Sequence, residues 1–399
     1  MKLRLWPTAL QRSLLWLRTP VGSESSRLYD RSLLLLAIAL LCLGLVMVAS
    51  ASIAESMASH HSPFIFVRRH AVYVVICLLA MAITVQVPVE FWKQHNAKFL
   101  LATMLGLVLV LVVGRNVNGS SRWIGIGPLN IQPAEFAKLA LFAYLAGYLV
   151  RRHQEIRDSL KGFLKPLAVL CVMALLILAQ PDLGTVVVMF VATIGMLFIA
   201  GAKLIQFFGL IISGSVAVVI LIVTEPYRME RVTSFLNPWQ DPFGSGYQLT
   251  QSLMAFGRGQ WFGEGLGNSV LKLEYLPEAH TDFVMAILAE ELGFVGVCVV
   301  LVLLSWLSYK AVAIGRRALQ SERPFEGYLA CGIGFWIAFQ SAVNIGAASG
   351  MMPTKGLTLP LVSYGGSSLL VMAIAIGLLL RIDFEWRQDD QQAHRREGE

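Results

Sequence analysis

The sequence predicts an all-α polytopic membrane protein with about ten transmembrane helices, both termini in the cytoplasm and a long outer loop between helices 7 and 8. Three observations carry that expectation. Apolar residues make up 56% of the 399 residues and charged residues only 14%, against roughly 45–50% and about 25% in soluble domains. Too few charges remain to cover several water-facing surfaces. The apolar residues gather in runs close to the ~20 residues needed to cross ~30 Å of hydrocarbon. On the resulting assignment Lys and Arg fall 22 on the side of the termini and 9 on the other, the bias that marks cytoplasmic loops.

Residues 1–32 read as a cytoplasmic tail. Trp6, Leu10, Leu14 and Leu17 follow helical spacing among Arg4, Arg12 and Arg18, which fits either a helix lying on the inner membrane face or a partly ordered basic tail. Charges throughout, without a small-residue cleavage site, argue against a signal peptide. The transmembrane domain, 33–382, carries apolar runs at 33–52, 71–88, 99–113, 133–150, 165–180, 184–201, 204–223, 283–308, 327–349 and 367–381. The fifth and sixth are parted only by the Gln180-Pro181-Asp182 turn. Residues 383–399 form a cytoplasmic C-terminal tail. Cys42, Cys77, Cys171, Cys298 and Cys331 all fall inside runs without metal-ligand or redox spacing, and read as small core residues. The net charge of +7 sits in the inner loops, so it is an orientation signal rather than a nucleic-acid footprint. No GxxxxGK[ST] or GxGxxG pattern is present, which excludes the usual nucleotide cradles.

Ionisable groups then mark where chemistry can occur. The outer loop, 224–282, is too aromatic and glycine-rich for simple disorder, and loops of this length usually have a function. Gln248 to Phe256 reads as a short amphipathic helix in it. Glu274, Glu278 and Asp282 are spaced by four, but Pro277 argues against one helix through them. Asp282 stands at the mouth of the eighth run, either as a helix cap or as a general base with its pKa raised beside a dry pocket. Glu135 and Lys138 share one face of the fourth run and can pair, while Glu290 and Glu291 interrupt the eighth. Intramembrane charges face a partner, a cavity or a pathway. Pro353 and Pro360 bracket a segment too apolar for open water and too broken for a helix, as in a re-entrant loop. Its Lys355, with Arg122, Arg258 and Lys138, can surround a phosphate or pyrophosphate.

The strings RWIGIGPLNIQPAEFAK, AQPDLGT, NPWQDPFGSGYQLTQSL, LPEAHTDFVMAILAEELG and PTKGLTLPLVSYGGSS resemble those of the SEDS family (shape, elongation, division and sporulation), from about residue 30 to 382. The wording around KLEYLPEAHTDF resembles the division branch more than the elongation branch. The resemblance implies a ten-helix inner-membrane peptidoglycan glycosyltransferase that polymerises lipid II at the outer face of the membrane, at the division septum. It further implies a class B penicillin-binding transpeptidase and other division proteins as partners. The family's essential aspartate matches Asp282, its activity-modulating glutamate Glu274, with Glu278 beside it, and its important lysines Lys138 and Lys355. Asp282 would be the base, and Lys355, Arg122, and Lys138 or a divalent cation (Mg or Mn) would stand at the pyrophosphate, with Glu135 and Arg258 near the substrate. No residue is assigned to the metal. A flippase using Glu135, Lys138 and Glu290 as a route, an elongation enzyme with the same chemistry, and a scaffold are the competing readings.

Overall fold

The computed structural model describes residues 29–117, 120–126, 129–353 and 356–397. The helix considered at residues 6–17 lies outside them. The chain runs α1 (Arg31–His60), α2 (Ile65–Gln86) and α3 (Val89–Val113), then a small antiparallel sheet β1 (Arg115–Val117), β2 (Ser120–Ile126) and β3 (Leu129–Ile131). It continues through α4 (Pro133–Arg151), α5 (His153–Asp158), α6 (Leu160–Leu178), α7 (Leu183–Ile199) and α8 (Leu204–Val223). The long loop holds α9 (Pro226–Leu236) and α10 (Tyr247–Gly259), and the chain ends with α11 (Val284–Gln320), α12 (Pro324–Ala348) and α13 (Gly366–Glu397).

Among the described residues nine helices are long and apolar enough to cross a membrane, and α7, at 17 residues, is a shorter apolar helix. Each of the ten expected runs falls on one of these ten helices. The third begins ten residues earlier than its apolar run, because Pro88 precedes a polar first turn that hydropathy does not count. The helix starts follow local chemistry: the Asp182 carboxylate accepts from the Thr185 N–H at 3.1 Å and caps α7. Asp30 does the same for α1 and pairs with Lys310 of α11 at 3.0 Å. The sheet, which the sequence reading did not anticipate, lies between α3 and α4 with β2 central.

Burial divides the helices. α4, α12 and α13 form the interior, with Phe142 of α4 packed 5.9 Å from the fully buried Trp336 of α12. α8 has no buried residue, as suits a helix whose neighbours are lipid tails. Cys77 and Cys331 are buried as expected, whereas Cys42 and Cys171 face outward.

Candidate active site around Asp282

The long loop is bound to the bundle by its backbone. α11 is broken at Gly293, whose φ of 68° and ψ of −169° interrupt the helix. In an unbroken helix the N–H groups of Phe294 and Val295 would bond to the carbonyls of Glu290 and Glu291. Here residues 260–265 enter the gap. The N–H groups of Glu264 and Gly265 donate to the Glu290 and Glu291 carbonyls at 2.9 and 3.1 Å, and those of Phe294 and Val295 to the Gln260 and Trp261 carbonyls at 2.8 and 3.1 Å. All four backbone groups are thereby satisfied. The approach is so close that a Cβ on Gly293 would sit 2.4 Å from the Gly263 nitrogen.

Glu290 and Glu291, both fully buried, complete this anchor. Glu290 accepts from the Ser269 hydroxyl and the Val270 and Leu271 N–H groups, and lies 3.0 Å from Arg258 Nε. Glu291 Oε1 is 2.7 Å from Lys272 Nζ and takes the Ser50 hydroxyl of α1 at 2.6 Å. α10, the expected amphipathic helix, docks alongside: the Ser252 hydroxyl donates to the Ala348 carbonyl at the end of α12 at 2.6 Å.

Asp282 sits between this anchor and the segment 353–366. The turn before it is tight: Glu278 adopts φ 56°, the N–H groups of Thr281 and Phe283 donate to its carbonyl at 3.2 Å each, and the Thr281 hydroxyl donates to its carboxylate at 2.6 Å. The Asp282 carbonyl accepts from the Asn344 amide of α12 at 2.9 Å. That amide also donates to the Leu357 carbonyl, so one side chain ties the turn to the segment. A Cβ on Gly356 would lie 3.2 Å from Asp282 Oδ2, which measures how near the segment passes.

Burial, and after it the negative charge of Glu278, push the Asp282 carboxyl up to about 7. Arg231 of α9 and Arg122 of β2 act in the opposite direction, and Asp182 adds a smaller upward push. Arg122 is fixed in place, its Nε and Nη2 donating to the Gln180 and Pro181 carbonyls at 2.9 and 2.6 Å. A carboxyl of this kind exchanges a proton near neutral pH, and the two arginines offer positive charge to an anion beside it.

The other expected residues are placed as follows. Lys138 and Glu135 pair at 2.9 Å deep in the bundle, and Lys138 also donates to Gln340 at 2.9 Å. Gln340 in turn donates to the Thr358 carbonyl at 2.8 Å, so the lysine is linked to the stretch after Gly356 through one side chain. Arg258 faces Glu290 on the loop, beside a cleft of about 540 Å³ that Met254 and Tyr275 also line. Neither Lys138 nor Arg258 is among the largest influences on Asp282. Glu274 is exposed with φ 65°. Lys355 lies outside the described residues, next in sequence to Gly356. Among the described residues no group of three or more His, Cys, Asp or Glu side chains is placed to hold a metal ion. Sequence reasoning missed Arg231, one of several charged residues in a polar stretch that only the fold brings to Asp282.

A family model described as "Cell cycle protein", covering the FtsW, RodA and SpoVE proteins, matches residues 30–388. The chain belongs to this family. A relative from Aeromonas salmonicida (strain A449), named probable peptidoglycan glycosyltransferase FtsW, is 63% identical over 97% of each chain. One of the same name from Escherichia coli O6:H1 is 57% identical over 93% of this chain and 90% of that one. Among solved structures, a chain from a study of "polymerization and crosslinking by a peptidoglycan synthase complex" is 30% identical with a TM-score of 0.73, covering 90% of this chain and 99% of that one. The rod shape determining protein RodA of Thermus thermophilus is 29% identical with a TM-score of 0.67, covering 89% of this chain and 96% of that one. These likenesses span nearly the whole multi-pass fold described above.

Proposed function

We propose that this peptidoglycan glycosyltransferase polymerises lipid II, with Asp282 as the general base. The 4-hydroxyl of one chain's GlcNAc attacks the anomeric carbon of MurNAc on another. Asp282 takes the hydroxyl proton, and undecaprenyl pyrophosphate departs with the bonding electrons. The observation that carries this reading is the setting of Asp282: a half-buried carboxyl on a fixed turn, flanked by the charges of Arg122 and Arg231. A base with a pKa near the working pH is suited to accept a proton in the transition state. Arg122 and Arg231 then offset the charge of the leaving pyrophosphate, the role the sequence also assigns to Lys355.

The site faces the outer leaflet of the bacterial inner membrane, on the side of the long loop, and acts at the septum. The positive bias of the opposite loops supports that orientation, and the division names of the relatives support the septum. A class B transpeptidase is the expected partner, because the similar solved chain comes from a complex that couples polymerization to crosslinking. Glu274 and Glu278 then modulate the turn and the loop. A flippase route through Glu135, Lys138 and Glu290 finds less support, since all three are buried and engaged in ion pairs. The test is polymerisation of labelled lipid II in detergent, where no bilayer exists to flip across, by purified protein with its transpeptidase. Wild type gives polymer and Asp282→Asn gives none; near-wild-type polymer from Asp282→Asn would overturn the assignment.

A further inference from the structure

Asp282 is carried by a short turn, and that turn has a second fixed point two residues earlier. His280 is almost fully buried. Its ring lies 4.8 Å from the Phe66 ring at the start of α2 and 5.2 Å from the Tyr364 ring. Its Nδ1 lies 3.1 Å from Glu55 Oε2 in the last turns of α1, an ion-pair distance without a well-aligned hydrogen bond. Its carbonyl accepts from the Tyr364 N–H at 3.0 Å. Three separate parts of the chain thus converge on one imidazole.

The position of His280 passes directly to Asp282. Only Thr281 intervenes, and Thr281 is bound back to Glu278 through both its N–H and its hydroxyl. Two residues span at most about 7 Å, and the hydrogen bonds within the turn make it move as one piece. Asn344 holds the Asp282 carbonyl from the other side, so the carboxyl is aimed from two supports, His280 and Asn344. Glu55 is half-exposed and stays hydrated on one side. The pair is therefore placed to orient the ring rather than to stabilise a dry core.

We propose that His280 is a positioning residue for Asp282, locking the catalytic turn to the ends of α1 and α2 through Glu55, Phe66 and Tyr364. The proposal rests on Asp282 being the base. A catalytic group displaced by ~1 Å can cost on the order of a hundredfold in rate, with little effect on substrate affinity. The experiment is steady-state lipid II polymerisation by the full chain with its transpeptidase partner, for His280→Phe, Glu55→Gln, the double variant and Asp282→Asn. His280→Phe keeps a ring between Phe66 and Tyr364 and loses the pair to Glu55. We expect its kcat to fall about ten- to a hundredfold with KM changed less than about twofold. Glu55→Gln should lower kcat in the same direction, and the double variant should be no slower than His280→Phe alone.

Wild-type kcat in both single variants would overturn the proposal, as would losses that multiply in the double variant, since independent effects are not one lock. If His280→Phe fails to fold, Glu55→Gln decides: it is isosteric at a hydrated position, and a wild-type kcat there sinks the idea. The Asp282→Asn arm tests the underlying reading separately. Polymerisation by that variant would remove the base, and the positioning role with it, whatever His280→Phe does.

Discussion

Asp282 and the pair Glu290-Glu291 stand within one short stretch of chain, yet the fold treats these carboxylates in opposite ways. Glu290 and Glu291 are fully buried and each is matched by a cation and by hydroxyl or backbone donors. Among the described residues no hydrogen bond reaches the Asp282 carboxyl, and burial with Glu278 drives it up to about 7. The first two are charges the fold pairs with cations, Glu291 through its Oε1. Asp282 is a charge the fold leaves ready to change. For carboxylates near a membrane, partner set separates structural from chemical roles better than depth does.

The largest expected effect breaks the comparison on the Asp282 side. Removing a general base lowers rate by about 10²–10⁴-fold, so Asp282→Asn should fall to background in the lipid II assay. Stability should move the other way. A carboxyl whose folded value is raised to about 7 from the ordinary 3.8 carries no cost below about pH 4. It carries the full cost of ionisation above about pH 7. Asp282→Asn should therefore raise the melting temperature in detergent at pH 8 and lose that advantage at pH 4. An equal or lower melting temperature at pH 8 would mean the ionised aspartate is not destabilising.

Glu291→Ala should do the reverse. It leaves the Lys272 ammonium buried opposite Ser50 without its counter-charge, and breaking such a pair costs about 3–5 kcal/mol. Thermal unfolding should drop sharply, and limited proteolysis should cut the 260–272 stretch before the bundle opens. A stable variant with an intact loop would show that the backbone bonds at the Gly293 break suffice alone. Those bonds are tested by Gly293→Ala. The positive φ alone costs a side chain about 1–3 kcal/mol, and the added methyl also meets the Gly263 nitrogen at 2.4 Å, so the backbone of the loop must shift. Its melting temperature should fall clearly, and a wild-type value would show that the loop does not depend on the break at Gly293.

Much of the fold was legible because hydropathy is local. Each of the ten apolar runs became one helix, and residues 356–365 around Pro360 are irregular and largely buried. The sheet at 115–131 was not legible, since its strands are three to seven residues long and sit where a connection suffices. Of the candidate site, Asp282 was readable from its place at a helix mouth, and the Glu135–Lys138 pair from i, i+3 spacing. The roles of Glu290 and Glu291 were not, because Ser50, Arg258 and Lys272 reach them only through the tertiary fold. Four cations were expected around one anion. Arg122 acts on Asp282, while Lys138 and Arg258 hold carboxylates, and Arg231 enters from a stretch with no signal of its own.

The smallest effect sharpens the account of why Asp282 titrates near neutrality. A base works only when deprotonated, so polymerisation should rise with pH through about 7 and fall about tenfold per unit well below it. Glu278 contributes to that value through its negative charge. Glu278→Gln removes the charge but keeps an oxygen to accept the Thr281 hydroxyl, so the turn should persist. The Asp282 carboxyl then ionises more readily and the acid limb moves to lower pH. Because Glu278 is exposed, the move should be under about one unit, and ~1 M salt, which shortens screening to ~3 Å, should nearly erase it. Burial, the larger cause, is untouched by salt, so the limb should stay well above that of an ordinary aspartate. A limb that moves to higher pH in Glu278→Gln would show that Glu278 does not raise Asp282, and a wild-type limb near pH 4 would show that burial does not.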